Sequence, residues 1–287
     1  MPDIKAVGIF SKPNAPAAAS ILPGLVEWLR GKGIGVRLDE VSAAYVGAGD
    51  GLPREDVPSG AGLIVVLGGD GTLLAAARAL DGLEVPLFPV NLGGLGFLTA
   101  ITTEELYPEL ERAFRGEHRI GTRRMLRCEL IRDGVKRARH EALNDVVVTK
   151  ASIARMIDLD AFVDRHFVCA YKADGLIICT PTGSTAYSLS AGGPIIFPRV
   201  AALSMTPICP HMLTNRPVIV PDTSIITVLN RAGDSDSYLT IDGQVGEPLR
   251  SGDKVVCSRS PHVLQLIRPP KSMFFDVLRQ KLKWGER

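Results

Sequence analysis

The chain has 287 residues, 46% of them hydrophobic and 22% charged, with a formal net charge of +2. That composition is ordinary for a globular protein with a sizeable core, in one large or two ordinary domains. So small a charge excess speaks against a nucleic-acid binder. In chain order, Ile4 to Phe10 reads as a short buried strand, and Ala17 to Arg30 as a helix ended by Gly31 and Gly33. Val36 to Leu38 is a second strand. Residues 42–60 are rich in Gly, Pro, Ser and Asp, and read as a mobile loop. Leu63 to Leu67 is a third strand, then the turn Gly68-Gly69-Asp70-Gly71-Thr72, then a helix from Leu73 to Leu80. Val85 to Val90 is a fourth strand, leading into Asn91-Leu92-Gly93-Gly94-Leu95-Gly96-Phe97. Strands alternating with helices predict an α/β domain with a parallel sheet, and both Gly-rich turns fall at carboxyl ends of strands, where such sheets bind ligands.

After a helix at roughly Thr103 to Arg115 the texture becomes strand-rich. Met125 to Arg132, an Asp133-Gly134 turn and Ala142 to Thr149 predict a hairpin. Further strands are expected at Ile157 to Val163, Gly175 to Cys179, Val218 to Val220, Ile225 to Leu229, Tyr238 to Ile241, Lys254 to Ser258 and Val263 to Ile267. Ser272 to Lys283 reads as a terminal helix. The boundaries drawn are 1–118 for an α/β nucleotide-binding domain, 119–268 for a β-rich domain, and 269–287 for a C-terminal helix returning to the first domain.

The start Met1-Pro2-Asp3-Ile4-Lys5 has neither a basic segment nor a long apolar run, and no stretch approaches membrane-spanning length, so a cytoplasmic protein is expected. Cys128, Cys169, Cys179, Cys209 and Cys257 are scattered, odd in number and without a CxxC, and read as buried small hydrophobes rather than a disulfide framework or zinc site.

The Gly68–Thr72 turn carries the strongest chemistry. Glycines allow close approach of a ligand, and the start of a helix offers N–H groups and a positive dipole end to phosphate. Asp70 is the odd member, because a carboxylate repels phosphate unless it has a task. That task is holding Mg²⁺ or taking a proton from an attacking hydroxyl. The bland alternative is a tight turn with Asp70 as a local cap. Asn144-Asp145 pairs a carboxamide with a carboxylate, which together read a base edge and sugar hydroxyls, though such a pair is more often a simple turn. Asp174 to Pro194 ends a strand in a dense run of small hydroxyl residues and glycine around Tyr187, whose ring can lie on a heterocycle. Asp242-Gly243-Gln244 reads as a hairpin turn. Arg119, Arg123, Arg124, Arg127 and Arg132, with Lys136, Arg137 and Arg139, read as a solvated hairpin face. His118, His140, His166 and His262 suggest no metal spacing, and His211 beside Pro210 reads as a site residue or, more commonly for a lone histidine, a structural one. There is no GxGxxG, Walker A loop, protein-kinase motif set or GxSxG elbow.

Taken together and in this order, these segments resemble the NAD kinase family. The Gly-Gly-Asp-Gly element alone is shared with diacylglycerol and sphingosine kinases and with 6-phosphofructokinases, whereas the Thr180 to Pro194 block is far more specific to NAD kinases. The resemblance implies phosphoryl transfer from ATP to the adenosine 2′-hydroxyl of NAD, a divalent metal (Mg or Mn), and a homodimer or homotetramer. It implies Asp70 as the catalytic carboxylate, with Gly68, Gly69, Gly71 and Thr72 at the phosphates and Phe97 at the adenine end. It further implies Asn144 and Asp145 on adenosine and sugar hydroxyls, and Lys172, Asp174 and Cys209 to His211 near the nicotinamide half. Thr182, Thr185, Ala186, Tyr187, Ser188 and Ser190 would line the adenine pocket, and Arg155 and Gln244 match positions the family uses. Relatives carry Arg or Gly where this chain has Lys172, so lysine here implies NAD⁺ with ATP, its role being to fill space and hold Asp174 or a phosphate. Two rivals are a lipid kinase of the diacylglycerol type and a non-catalytic NADP(H)-binding sensor. The first would need a membrane-facing surface that the composition does not show, and the second gains nothing from a carboxylate beside a phosphate.

Overall fold

The structure, a computed structural model, describes residues 4–94, 96–151, 155–231, 237–268 and 274–284. The chain divides into two compact units, one of residues 1–122 with 264–287, the other of residues 123–263.

The first unit is built on a parallel sheet. Strand β1 (Ala6–Ser11) lies between β2 (Gly35–Leu38) and β3 (Leu63–Leu67), and β4 (Leu87–Val90) follows β3. β3 and β4 are buried at every position, as parallel strands covered on both faces must be. Helix α1 (Pro16–Gly31) begins with Pro16 and carries Pro23 in its interior, where one backbone bond is lost. Its buried stripe of Ala18, Leu22, Leu25, Val26 and Leu29 recurs at helical spacing, and the last four share a core with Val7, Ile9 and Val65 of the sheet. Helix α3 (Asp70–Ala79) follows β3, and α4 (Leu106–Phe114) follows the Gly-rich segment after β4. The last helix, α6 (Phe274–Leu282), belongs to this unit; residues 272 and 273 of the expected helix lie outside the described residues.

One expectation is overturned here. Residues 42–60 are not a free loop. Helix α2 (Glu40–Tyr45) is capped by Asp39, whose carboxylate accepts the N–H of Ser42 at 2.8 Å. Arg54, in a short 3-10 turn, donates to Asp39 at 2.9 Å, and Arg37 donates to the carbonyls of Asp56 and Val57. The Gly, Pro and Asp content marks turns correctly but hides the two arginines that fasten them.

The second unit is a β-sandwich. Its six-stranded antiparallel sheet runs β12 (Val218–Pro221), β11 (Ala202–Ile208), β10 (Gly175–Cys179), β7 (Asp145–Lys150), β14 (Ser237–Ile241), β15 (Val245–Leu249). Opposite it, β16 (Lys254–Arg268) pairs β13 (Ile226–Asn230), which pairs β8 (Ile157–Val163), which pairs β9 (His166–Ala173). The hairpin of β5 (Arg119–Arg132) and β6 (Val135–Ala142) joins the same sheet through β5 and β16. Val146, Val148, Leu176, Ile178 and Leu239 of one sheet and Leu126, Leu159, Val228 and Cys257 of the other close on one core.

Several sequence expectations change in this unit. The Asp133-Gly134 turn forms, with both residues at positive φ as a type I′ hairpin needs, but its return strand is Val135–Ala142, not 142–149. Residues 145–150 instead form β7 in the six-stranded sheet. β9, β11 and β15 were not expected, and the two runs at 254–258 and 263–267 are one strand. The basic hairpin is a solvated face only in part: Arg119, Lys136, Arg137 and Arg139 are exposed, but Arg123 is buried, Arg124 pairs Asp222 at 2.8 Å, Arg127 pairs Glu141 at 2.9 Å and Arg132 pairs buried Asp253 at 2.7 Å. Cys128, Cys179 and Cys257 are buried as expected, whereas Cys169 is half-buried and Cys209 exposed.

Candidate active site

In the first unit, the Gly68–Thr72 turn leaves the end of β3 and becomes the first turn of α3, with Gly69 as its N-cap. A side chain at Gly68 would land on Thr72, while Gly69 and Gly71 have open space where a side chain would stand. Asp70 heads the helix, and its carboxylate is held by the segment after β4. Oδ2 accepts the N–H of Phe97 at 2.9 Å; Oδ1 accepts the N–H groups of Leu98 and Thr99 and the hydroxyl of Thr99, at 3.1, 3.2 and 3.2 Å. A Cβ on Gly96 would overlap both the Asp70 carboxylate and the Thr99 hydroxyl. Gly96 is therefore what lets the two segments meet. Phe97 is half-buried, with the Lys281 ammonium of α6 6.0 Å from its ring centroid. Asn91, quoted in the Gly-rich run but given no role there, and Thr99, which lies outside that run, both belong to this network. The Gly-rich run marks Asn91 in the sequence, whereas Thr99 leaves no such trace.

In the second unit, Asn144 and Asp145 sit at the start of β7. Asp242, in the turn between β14 and β15, accepts the N–H groups of Leu143, Asn144 and Asp145 at 2.8, 2.8 and 3.0 Å. That turn has positive φ at Asp242 and Gly243 and closes through the Gln244 N–H on the Ile241 carbonyl, as the sequence predicts. The Asn144 carboxamide makes no hydrogen bond among the described residues. Asp145 is 4% exposed, and burial first, then the Asp242 charge, push its carboxyl up to about 7. A carboxylate this perturbed and this poorly partnered is a mark of a functional site.

The Thr180–Pro194 block follows β10. Thr180 donates its hydroxyl to the Leu143 carbonyl at 2.6 Å and its N–H to the Asn144 carbonyl at 2.9 Å. Gly183 packs so closely on Asn144 that any side chain there would strike its backbone. The block and the Asn144–Asp145 pair are thus one construction. Thr182 is buried and Thr185 half-buried, its hydroxyl on the Thr182 carbonyl. In the short helix α5 (Tyr187–Ser190), the Tyr187 ring is exposed, Ser190 is exposed, and Ser188 is buried with its hydroxyl against Thr206 at 3.0 Å. Ala186 is half-buried at the head of α5.

Lys172, Asp174, Cys209 and His211 are also brought together. The His211 N–H donates to the Lys172 carbonyl, and the Asp174 N–H to the carbonyl of Ile208, beside Cys209. Cys209 holds φ +44, a strained value for a residue with a side chain. The ion pair differs from expectation. Asp174 is held by Lys150 at 2.7 Å, while Lys172 is exposed on β9 opposite Asp158. Lys150 escaped notice because it lies 24 residues from Asp174 and meets it only through the β7–β10 register. Arg155 is exposed next to residues outside the described set, and Gln244 is exposed at the β14–β15 turn.

An α/β unit with a glycine turn, followed by a β-sandwich that carries the Asn144–Asp145 pair and the Thr180–Pro194 block, is the two-unit arrangement of a phosphotransferase class. Residues 52–118 match the ATP-NAD kinase N-terminal domain and residues 143–269 the ATP-NAD kinase C-terminal domain. The chain belongs to the NAD kinase family. It is 68% identical over 287 residues to the NAD kinase of Solibacter usitatus, covering 100% of both, and 48% identical over 285 residues to that of Koribacter versatilis, covering 99% of this chain and 100% of the other. Among solved structures it is similar to yeast NADH kinase complexed with NADH (TM-score 0.93, 25% identity, covering 100% of this chain and 89% of that one). It is also similar to an NAD kinase from Archaeoglobus fulgidus in complex with ATP (TM-score 0.77, 25% identity, covering 97% and 98%).

Proposed function

We propose that this chain is an NAD kinase, moving the terminal phosphoryl group of ATP to the adenosine 2′-hydroxyl of NAD. The observation that carries this reading is Asp70, a carboxylate fixed by four donors at the head of a helix and flanked by glycines, where phosphate would otherwise be the natural guest. In our reading the 2′-hydroxyl oxygen forms the new P–O bond, the bond to the leaving ADP breaks, and Asp70 orients or receives the hydroxyl proton. Asn144 and Asp145 bind adenosine and sugar hydroxyls, Tyr187 lies on the base, and Lys150 holds the Asp174 carboxylate in place for the nicotinamide half.

No group of three or more His, Cys, Asp or Glu able to hold a metal occurs among the described residues. Asp70 already spends its Oδ1 on three donors. The described residues therefore do not make a resident metal site. Mg or Mn enters this reading as part of the substrate, carried on the ATP phosphates.

The test is NADP formation from NAD, ATP and Mg²⁺ by the purified chain. Asp70→Asn should lower turnover by at least ~10²-fold while NAD affinity stays within a few fold. Near-normal turnover in the folded variant would remove Asp70 from the chemistry. We also infer a homodimer or homotetramer. Leu213 is 90% exposed beside Met212, and the Cys169–Asn215 contact sets this loop against β9, the last strand of its sheet. A monomer by sedimentation at micromolar concentration would refute this.

A further inference from the structure

The Asp70 carboxylate is aimed by a chain of hydrogen bonds whose direction can be read atom by atom. Asn91 lies just past β4. Its Oδ1 accepts the Gly93 N–H at 2.7 Å, which fixes the carboxamide orientation and turns Nδ2 inward. Nδ2 donates to the Gly94 carbonyl at 2.9 Å and to Thr99, reaching its hydroxyl at 3.1 Å and its carbonyl at 3.3 Å. Thr99 is fully buried. Its hydroxyl oxygen accepts a hydrogen bond from Asn91 Nδ2, so its own O–H is left to donate to Asp70 Oδ1, 3.2 Å away. With the Leu98 and Thr99 N–H groups also on Oδ1, that oxygen is fully engaged and the carboxylate cannot rotate without breaking three bonds. Oδ2 has one partner among the described residues, the Phe97 N–H, and is the oxygen with capacity for a further donor. The Asn91 backbone is itself anchored, its N–H on the Ile101 carbonyl at 2.8 Å.

We propose that Thr99 is a positioning residue for phosphoryl transfer: directed by Asn91, its hydroxyl locks Asp70 Oδ1 so that Oδ2 alone meets the acceptor hydroxyl. This inference rests on the reading of Asp70 as the acceptor-orienting carboxylate. Placement of this kind is costly to lose, since a misaimed group forfeits rate even when the substrate still binds. Thr99→Val keeps the shape and both backbone bonds but removes the hydroxyl; Thr99→Ser restores it.

The experiment measures kcat and KM for NAD and ATP in the unmodified chain, Thr99→Val, Thr99→Ser, Asp70→Asn and the Asp70→Asn/Thr99→Val double variant, with thermal unfolding of each. Thr99→Val should lower kcat about tenfold with both KM values within about twofold, and Thr99→Ser should recover most of it. In the Asp70→Asn background, Thr99→Val should change kcat by less than about twofold, because a residue acting through Asp70 has nothing left to aim. An unchanged kcat in Thr99→Val, no recovery by Thr99→Ser, or the same loss in both backgrounds would overturn the positioning role. A fully active Asp70→Asn would overturn the reading of Asp70 and the proposal with it. A slow Asp70→Asn beside a normal Thr99→Val would overturn the proposal alone.

Discussion

At the scale of single residues, the two carboxylates of the candidate site are opposites in environment. Asp70 is surrounded by donors. Asp145 is buried, has no side-chain hydrogen bond among the described residues, and faces a second carboxylate, Asp242; Cys179 lies opposite it on β10. Burial raises the Asp145 carboxyl to about 7 from an ordinary 3.8. The folded form therefore holds a proton more tightly than the unfolded one, and this group's contribution to stability falls as pH rises from about 4 to 7. Asp145→Asn removes that burden. The expected outcome is a higher Tm at pH 8, a gain that shrinks towards pH 5, together with weaker NAD binding, measured by calorimetry. An Asp145→Asn protein less stable than its parent at pH 8 would show that the carboxylate is compensated in some other way. Such an exchange of stability for binding is common at functional sites.

At the scale of elements, the β14–β15 turn does more than reverse the chain. Asp242 gathers three N–H groups from the segment before β7. Asp242→Asn keeps Oδ1 as an acceptor but sets an NH₂ against the Leu143 N–H, leaving that donor without a partner at a cost of roughly 1–3 kcal/mol. It also removes the like charge beside Asp145. We expect KM for NAD to rise about tenfold at pH 8 with kcat little changed, and the loss of NAD affinity on acidification to begin at lower pH than in the parent. A pH profile that does not move would separate Asp242 from the Asp145 charge. This coupling was half legible in the sequence. The Asp-Gly turn, the Asn-Asp pair and the strand β7 each announce themselves, but that the turn carboxylate holds the pair is a matter of register between strands almost a hundred residues apart. The buried strands of the parallel sheet were readable because Leu63–Leu67 is apolar throughout. β6 was not, because Val135–Ala142 is mostly charged and exposed along much of its length. Arg124 and Arg132 of β5 depart from expectation for a similar reason: sequence displays their charge but not Asp222 or Asp253, which meet them.

At the scale of the whole molecule, the first unit is discontinuous in sequence. Leu266 of β16 pairs Leu87 of β4, and Ile267 is buried with Ile9, Leu25 and Phe88 in that unit's core. Residues 1–122 alone would leave β4 with an unpaired edge and the core short of Ile267. Burying a side chain of this kind is worth about 2–5 kcal/mol against Ala. We expect the 1–122 fragment to be aggregation-prone or molten, with dispersed amide resonances recovered when 264–287 is supplied through a short linker. A well-dispersed NMR spectrum from 1–122 by itself would disprove the dependence.

The same discontinuity sets an order of events during synthesis. The ribosome delivers every residue of the second unit, including the first part of β16, before it delivers the end of β16 that the parallel sheet awaits. At roughly 5–20 residues per second, the 165 residues from 123 to 287 take roughly ten to thirty seconds to emerge. Throughout that interval the nascent sheet carries β4 as a bare edge beside the glycine turn. Chaperone capture, or a slow codon downstream of residue 122, would act on this waiting edge, so we expect the yield of folded chain to depend partly on how quickly residues 264–287 follow.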